Sequence, residues 1–93
     1  MQIGAMEVRI AIRGAQSLKD RRRVVNSLKD RIKDRFNVAV AEVGDPELRQ
    51  LAVLGVVTVS NSRRHLDQTL SHVVNFVRDA GIAELVDYDM EFL

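Results

Sequence analysis

The sequence predicts an α+β domain in which two helices cover one face of a four-stranded antiparallel sheet. Three observations lead to this prediction: apolar residues with a period of two near both ends of the chain, two amphipathic segments with a helical period, and two β-branched runs between those segments. The predicted order is strand, helix, strand, strand, helix, strand. A chain of 93 residues has room for one hydrophobic core, so we expect a single domain over residues 1–93.

The first strand is predicted over residues 2–13, where successive side chains alternate between two faces. One face carries Gly4, Met6, Val8, Ile10 and Ile12, and the other carries Ala5, Glu7, Arg9, Ala11 and Arg13. An apolar face opposite a partly charged one is typical of a strand that packs on the core with one side only.

The first helix is predicted over residues 17–36, with Ser17 as its N-cap and Asp20 completing a variant of the capping box. Its apolar stripe consists of Leu18, Val24, Val25, Leu28, Ile32 and Phe36. Arg21 falls close to the centre of this stripe. Its guanidinium must therefore find a carboxylate partner or extend past the end of the sheet to a ligand, because a buried charge needs compensation.

The two middle strands are predicted from β-branched runs over residues 37–43 and 51–61, with a turn at residues 44–47 between them. The second run is apolar on both faces, which is typical of a central strand. The second helix follows, with N-cap candidates at residues 60–62 and Gly81 as its end. Its predicted buried stripe consists of Leu66, Leu70, Val73, Val74 and Val77.

The last strand is predicted over residues 84–93 from a second alternating pattern. Val86, Tyr88, Met90 and Phe92 are expected to point inward, and Asp87, Asp89 and Glu91 outward. With this strand the element order becomes that of the ferredoxin-like βαββαβ sandwich, in which two right-handed crossovers place both helices on one face of the sheet.

In this topology the first and last strands are neighbours, so a charge ladder is expected on the open face of the sheet. Its members would be Glu7, Arg9, Arg13, Asp87, Asp89 and Glu91, which would largely neutralise one another. The other half of the open face, residues 38–43 and 51–59, is apolar apart from Glu42 and Thr58. An uncovered apolar half-sheet is a candidate interface, and a homodimer is the simplest way to cover it.

Charge is distributed unevenly along the chain. Residues 17–36 contain eight of the 14 basic side chains and three aspartates, a net charge of +5, whereas the rest of the chain carries −4 and the whole chain +1. This polarity suggests an anionic partner that binds a local face of the protein rather than its bulk charge.

The candidate residues for binding RNA or another phosphate anion are Lys19, Arg21, Arg22, Arg23 and Lys33. Arginine forks match phosphate oxygens, and the N-terminus of a helix also favours anions. A second interpretation applies equally to this pattern: basic residues interleaved with aspartates also describe an ordinary solvated helix face. We expect no membrane contact.

The sequence shows no catalytic, metal or cofactor motif. The absence of cysteine excludes disulfides and thiolate chemistry, and no serine has the surroundings of a nucleophile. His65 and His72 are seven residues apart on a helix, about 10 Å along its axis, which is too far to share a metal ion. No apolar run is long enough for a membrane span, and the N-terminus does not read as a signal peptide, so a cytoplasmic location is expected.

Three segments together carry a family resemblance: residues 14–25, residues 35–43 and residues 54–61. They resemble the YlxP-like family of small bacterial proteins of unknown function. The resemblance implies a ferredoxin-like fold and a gene neighbourhood shared with a translation initiation factor and ribosome-binding factor A. It implies no catalytic residues. Relatives often carry a tryptophan in the loop at residues 44–50, where this chain has Leu48.

Together these observations predict a non-enzymatic module without a cofactor that associates with ribosomal RNA or a ribosomal particle through its first helix. Two alternatives use the uncovered sheet instead. One is an adaptor for protein interactions, and the other is a dimeric domain that binds a small ligand at the sheet interface.

Overall fold

The computed structural model of the chain describes all residues 1–93. Its elements follow the predicted order: β1 (Gln2–Ala11), α1 (Leu18–Arg35), β2 (Ala39–Glu42), β3 (Leu51–Ser60), α2 (Arg63–Ala80) and β4 (Glu84–Phe92). The strands form one antiparallel sheet in the order β2-β3-β1-β4. This arrangement confirms the ferredoxin-like α+β fold, with β1 and β3 at the centre of the sheet. Neither helix is long and apolar enough to span a membrane.

Both helices are capped at the predicted residues. The Ser17 hydroxyl accepts a hydrogen bond from the Asp20 N–H at 3.0 Å, and the Ser62 hydroxyl accepts one from the His65 N–H at 3.2 Å. α2 ends at Gly81, whose φ of 70° lies in the left-handed region. These caps satisfy backbone donors that would otherwise be left unpaired at the helix ends.

The core lies between the sheet and the two helices, and it is built from the predicted stripes. Fifteen buried residues form one cluster, which includes Val8 and Ile10 of β1, Leu54 of β3, Leu28 of α1 and Val73 of α2. Each of these five side chains is fully buried, at 0% exposure. Because the helices and this core cover one face of the sheet, the opposite face remains open.

The inward residues of β4 differ from the prediction because of a β-bulge. Arg9 pairs with Asp87 but Ile10 pairs with Leu85, which leaves Val86 as the extra residue on β4. Leu85 packs against the core, whereas Val86 is 52% exposed, so the predicted inward position of Val86 is wrong. Tyr88 keeps the inward register opposite Val8 but is 41% exposed, because β4 is an edge strand.

Glu42 and Thr58, the two polar residues predicted on the uncovered half-sheet, point toward the helices instead. Glu42 pairs with Leu54, which is fully buried, and Thr58 pairs with Gly4, where an added Cβ would lie 3.1 Å from Leu70 of α2. The Thr58 hydroxyl donates to a backbone carbonyl at 2.9 Å. The prediction that Glu42 and Thr58 interrupt the open face is wrong, and that half is wholly apolar.

The charge ladder is only partly as predicted. Arg9 forms ion pairs with both Asp87 and Asp89, the latter at 2.7 Å. The hydrogen bond with Asp89, followed by that with Asp87, raises the pKa of Arg9. Glu7 pairs in register with Asp89, which sets two carboxylates side by side, and no salt bridge involves Glu7.

Arg13 does not join this ladder, because β1 ends at Ala11 and Arg13 instead forms an ion pair with Glu84. The open face near β4 therefore lacks one of the cations expected there. The ladder is acidic in excess, and the expectation that it would be largely self-neutralised is wrong.

Candidate functional site

The basic side chains of α1 are mostly exposed and unpaired. Lys19, Arg22, Arg23 and Lys33 are all exposed, and none of them lies within 4.0 Å of a carboxylate oxygen. Arg22 makes only one long hydrogen bond, 3.4 Å, from Nε to a carbonyl of its own helix. The aspartates of α1 therefore do not neutralise these cations by direct contact.

Four of the cations lie along one flank of α1. At 100° per residue, Arg22, Lys29 and Lys33 fall within about 40° of one another, and Lys19 lies next to this row. We call Lys19, Arg22, Lys29 and Lys33 the cationic flank. The row from Arg22 to Lys33 is about 16 Å long at the usual helical rise. None of the three aspartates of α1 falls within it.

The contacts of α1 show which way the cationic flank points. On the other side of the helix, the Arg35 guanidinium lies 4.8 Å from the ring centroid of Phe76 in α2, and Val24 lines a depression together with Ile82. Leu18, on the side of the cationic flank, lines a depression with Arg49 of the loop between β2 and β3. The cationic flank therefore points away from α2, with Lys19, Arg22 and Lys33 exposed and Lys29 half-buried.

Arg21 does not belong to this surface. It is 1% exposed, and its guanidinium donates to the Glu42 carboxylate, to the Leu48 carbonyl and, at 2.9 Å, to the Leu51 carbonyl. Of the two predicted fates of Arg21, a carboxylate partner is the one found. Its inclusion among the anion-binding candidates is corrected by this burial, because the side chain is enclosed and its Nε and Nη2 already donate to the protein.

Arg23 is exposed, but it points outward at a helical angle between those of Asp30 and Asp34 rather than along the cationic flank. Of the predicted candidates, the structure thus brings together Lys19, Arg22 and Lys33. It adds Lys29, which the sequence analysis did not single out. The signal was present in the spacing, because Lys29 lies seven residues after Arg22 and four before Lys33.

The N-terminus of α1 is already occupied by the chain's own polar groups. Besides the cap at Ser17, the Asp20 carboxylate accepts a hydrogen bond from the Gln16 N–H at 3.3 Å. The Asp20 carboxylate also places a negative charge of the chain itself near the positive end of the helix dipole. The unpaired positive charge of α1 is carried by the side chains of the cationic flank.

His65 and His72 are both exposed on α2, and no group of three or more metal-ligating side chains comes together in the structure. Buried side-chain nitrogen and oxygen atoms all have hydrogen-bond partners. The arrangement thus offers an electrostatic surface on α1 rather than an enclosed pocket of converging reactive groups.

Comparisons with known proteins identify the family. Residues 3–90 match the model of a protein family described as a protein of unknown function, DUF503. The chain is also 33% identical over 75 residues to the uncharacterized protein YlxP of Bacillus subtilis strain 168, which covers 81% of this chain and 82% of that protein. Among solved structures, the de novo designed protein Ferredog-Diesel aligns with a TM-score of 0.49 and 12% identity, over 96% of this chain and 83% of that one. The family match spans nearly all of the chain, which therefore belongs to the DUF503 family of proteins of unknown function.

Proposed function

We propose that the protein is a non-catalytic module that binds structured RNA through the cationic flank of α1. The observation that carries this proposal is the row of four cations without a paired carboxylate. The four cations from Lys19 to Lys33 span about 21 Å along the helix axis, which is long enough to contact several phosphates of a duplex. Contacts to several phosphates release counterions, which favours binding without any base recognition.

The remaining surface supports the choice of α1 as the contact. RNA-recognition modules of similar topology stack bases on aromatic side chains of the open sheet face. Here Phe36, Phe76 and Phe92 pack against the core, and the open face carries carboxylates that repel phosphate. The gene neighbourhood implied by the family resemblance favours RNA, and in particular ribosomal RNA or a ribosomal particle, as the source of the phosphates.

The test is a charge reversal within the cationic flank. Arg22→Glu with Lys33→Glu should weaken binding to a structured ribosomal RNA fragment more than about tenfold, as measured by fluorescence anisotropy at 100 mM salt, because two phosphate contacts become repulsive. Both side chains are exposed, so the thermal midpoint should change little.

The matched control is Arg64→Glu with Arg78→Glu, which makes the same change in net charge at two exposed positions of α2. If RNA binding depends on the net charge of the protein alone, both double variants will lose affinity equally. That result, or the absence of binding by the unmodified protein, would leave the cationic flank as a solvated helix face.

A second candidate function is a protein-interaction adaptor. It is favoured by the uncovered half of the sheet, which is wholly apolar because Glu42 and Thr58 turn toward the helices. The two functions use opposite sides of the domain and are compatible with each other.

A further inference from the structure

The open face of the sheet is divided into two parallel strips of different chemistry. An acidic strip contains Glu7 of β1 and Asp87, Asp89 and Glu91 of β4. An apolar strip contains the open-face residues of β2 and β3 with the residue that follows β2: Ala39, Ala41, Val43, Leu51, Val53, Gly55, Val57 and Val59. The register places the strips side by side, since Glu7 pairs with both Asp89 and Gly55.

The apolar strip is exposed and has the shape of a trough. Of the nine large hydrophobic residues that are exposed in the chain, six lie on this face: Val43, Leu48, Leu51, Val57, Val59 and Val86. At the centre Gly55 and Ala41 are small, and the side chain of Val43 lies over Gly55, where an added Cβ would be 2.9 Å from it. A depression of about 400 Å³ runs from Gly55 and Val57 to the edge of the acidic strip at Glu7 and Glu91.

The trough continues toward the loop between β2 and β3. There Leu48, Leu51, Val53 and Val86 line a second depression of about 240 Å³. The β-bulge contributes to it, because the extra residue Val86 is turned onto the open face. Two depressions thus border β3 on the open face, one at Gly55 and Val57 and one at Leu51 and Val53.

The acidic strip is not neutralised by the protein itself. Arg9 is the single cation among these residues, and it serves both Asp87 and Asp89. Glu7 and Glu91 form no salt bridge. Four carboxylates against one guanidinium give the strip a net charge of −3 beside the apolar trough.

We propose that this face binds a basic amphipathic α-helix of a partner protein, with the apolar stripe of that helix in the trough and its lysine or arginine flank against the acidic strip. Charge complementarity selects this occupant. A helix packs on a sheet through one stripe of apolar side chains, and its adjoining flank then lies over the neighbouring strand. A helix of about 18 residues is about 27 Å long, close to the length of the ten-residue β3.

Other occupants fit the charges less well. RNA phosphates are repelled by the acidic strip. In a face-to-face dimer that superposes two whole sheets, each acidic strip would face either the partner's acidic strip or its apolar strip, and both arrangements desolvate carboxylates without a counter-charge. The proposal does not depend on RNA binding by α1, which lies on the other side of the sheet.

The probe is a set of three synthetic helical peptides, each about 18 residues long, with the same leucine and alanine stripe. Their adjoining flank consists of lysine, serine or glutamate. Isothermal titration at 50 mM salt should show the lysine peptide binding tightest and the glutamate peptide weakest. The difference between the lysine and glutamate peptides should exceed tenfold.

Glu7→Gln with Glu91→Gln tests the acidic strip without disturbing the Arg9 ion pairs. Two exposed ion pairs contribute about 0.4 to 2 kcal/mol, so affinity for the lysine peptide should fall about 2-fold to 30-fold, while affinity for the serine peptide should not change. The control Asp30→Asn with Asp34→Asn removes the same charge from α1 and should leave both affinities unchanged. Val57→Lys should weaken all three peptides.

Three results would overturn the proposal. One is equal binding of the lysine and glutamate peptides, or no binding of either. Another is a loss of affinity in the α1 control as large as in the variant of the acidic strip. The third is a stable dimer of the unmodified protein at micromolar concentration that Val57→Lys dissociates, which would make a second copy the occupant. RNA affinity measured in parallel distinguishes these failures from a failure of the function proposed for α1.

Discussion

Arg21 and Glu42 form an ion pair on the helix-covered side of the sheet, between the first turn of α1 and the end of the edge strand β2. The side chain of Arg21 is 2% exposed and that of Glu42 is 18% exposed. The same guanidinium binds the carbonyl oxygens of Leu48 and Leu51. One buried cation thus joins α1 to β2 and to the loop that connects β2 with β3.

We expect Arg21→Met to lower the free energy of unfolding by about 3 to 5 kcal/mol, because it leaves the Glu42 carboxylate and two carbonyl oxygens without their donor. The double variant Arg21→Met with Glu42→Leu should recover much of this loss, since removing both partners leaves no unpaired charge. Urea denaturation measures both effects. Arg22→Met is the matched control at an exposed position, and the prediction fails if its midpoint and that of Arg21→Met coincide.

The fold could be predicted from the sequence because the strand period and the helix period of the apolar residues agree with the observed topology. The one exception is the bulge in β4. The period of two assigns Met90 and Phe92 correctly, but it cannot reveal that β4 inserts an extra residue at Val86. Alternation counted back from Phe92 therefore assigns Val86 to the inward face, although it lies on the open face. Bulges depend on pairing with a neighbouring strand, which a single segment does not report.

The faces of two neighbouring valines in β3 provide a test of the sheet orientation. Val56 is fully buried under the helices, whereas Val57 is 43% exposed on the open face. Val56→Lys should unfold the chain because it buries an ammonium group without a partner. Val57→Lys should change the free energy of unfolding by no more than about 0.5 kcal/mol. Circular dichroism melts compare the two; similar losses in both variants would contradict the assigned faces.

Gly81 ends α2 in a conformation that a side chain disfavours. Its φ is 70°, and Gly81→Ala should cost about 1 to 2 kcal/mol even though no atom lies within 4 Å of the added Cβ. Gly14 also has open space around an added Cβ, but its φ is not positive. Gly14→Ala should therefore be neutral or slightly stabilising. Equal unfolding midpoints for the two alanine variants would argue against a left-handed end of α2.

Arg13 and Glu84 form an exposed ion pair between the end of β1 and the start of β4. The hydrogen bond from Arg13 and its charge lower the pKa of Glu84. A lowered folded-state pKa adds stability that is present at neutral pH and is lost as the pH falls through the titration of Glu84. NMR titration should show Glu84 ionising below the usual range of glutamate, and Arg13→Gln should return its pKa to that range. An unchanged pKa in this variant would mean that the pair does not persist in solution.

The candidate site was only partly accessible from the sequence. Composition and helical spacing identify the basic face of α1, and the burial of Arg21 follows from its place in the apolar stripe. Its partner does not follow, because the pairing of Glu42 with Arg21 depends on β2 placing that residue toward the helices. The predicted ladder already had four carboxylates against two arginines, and the structure enlarges this excess because Arg13 lies beyond the end of β1 and pairs with Glu84.

The salt dependence of RNA binding separates phosphate contacts by the cationic flank from weak non-specific attraction. If Lys19, Arg22, Lys29 and Lys33 neutralise about four phosphates, the logarithm of the affinity should fall with the logarithm of salt concentration with a slope of about −2.8 to −3.6. Affinity should then fall about 50-fold to 150-fold between 50 and 200 mM salt.

The slope should change with the number of contacts rather than with the total charge of the protein. Arg22→Glu with Lys33→Glu should make it shallower by about 1.4 to 1.8, because two of four phosphates lose their counter-charge. Arg64→Glu with Arg78→Glu should leave it unchanged, although the net charge of the chain falls by the same amount. Anisotropy titrations at several salt concentrations measure both slopes. Parallel slopes for the two variants would show that the four cations do not act as a phosphate-binding row, even if the protein binds RNA.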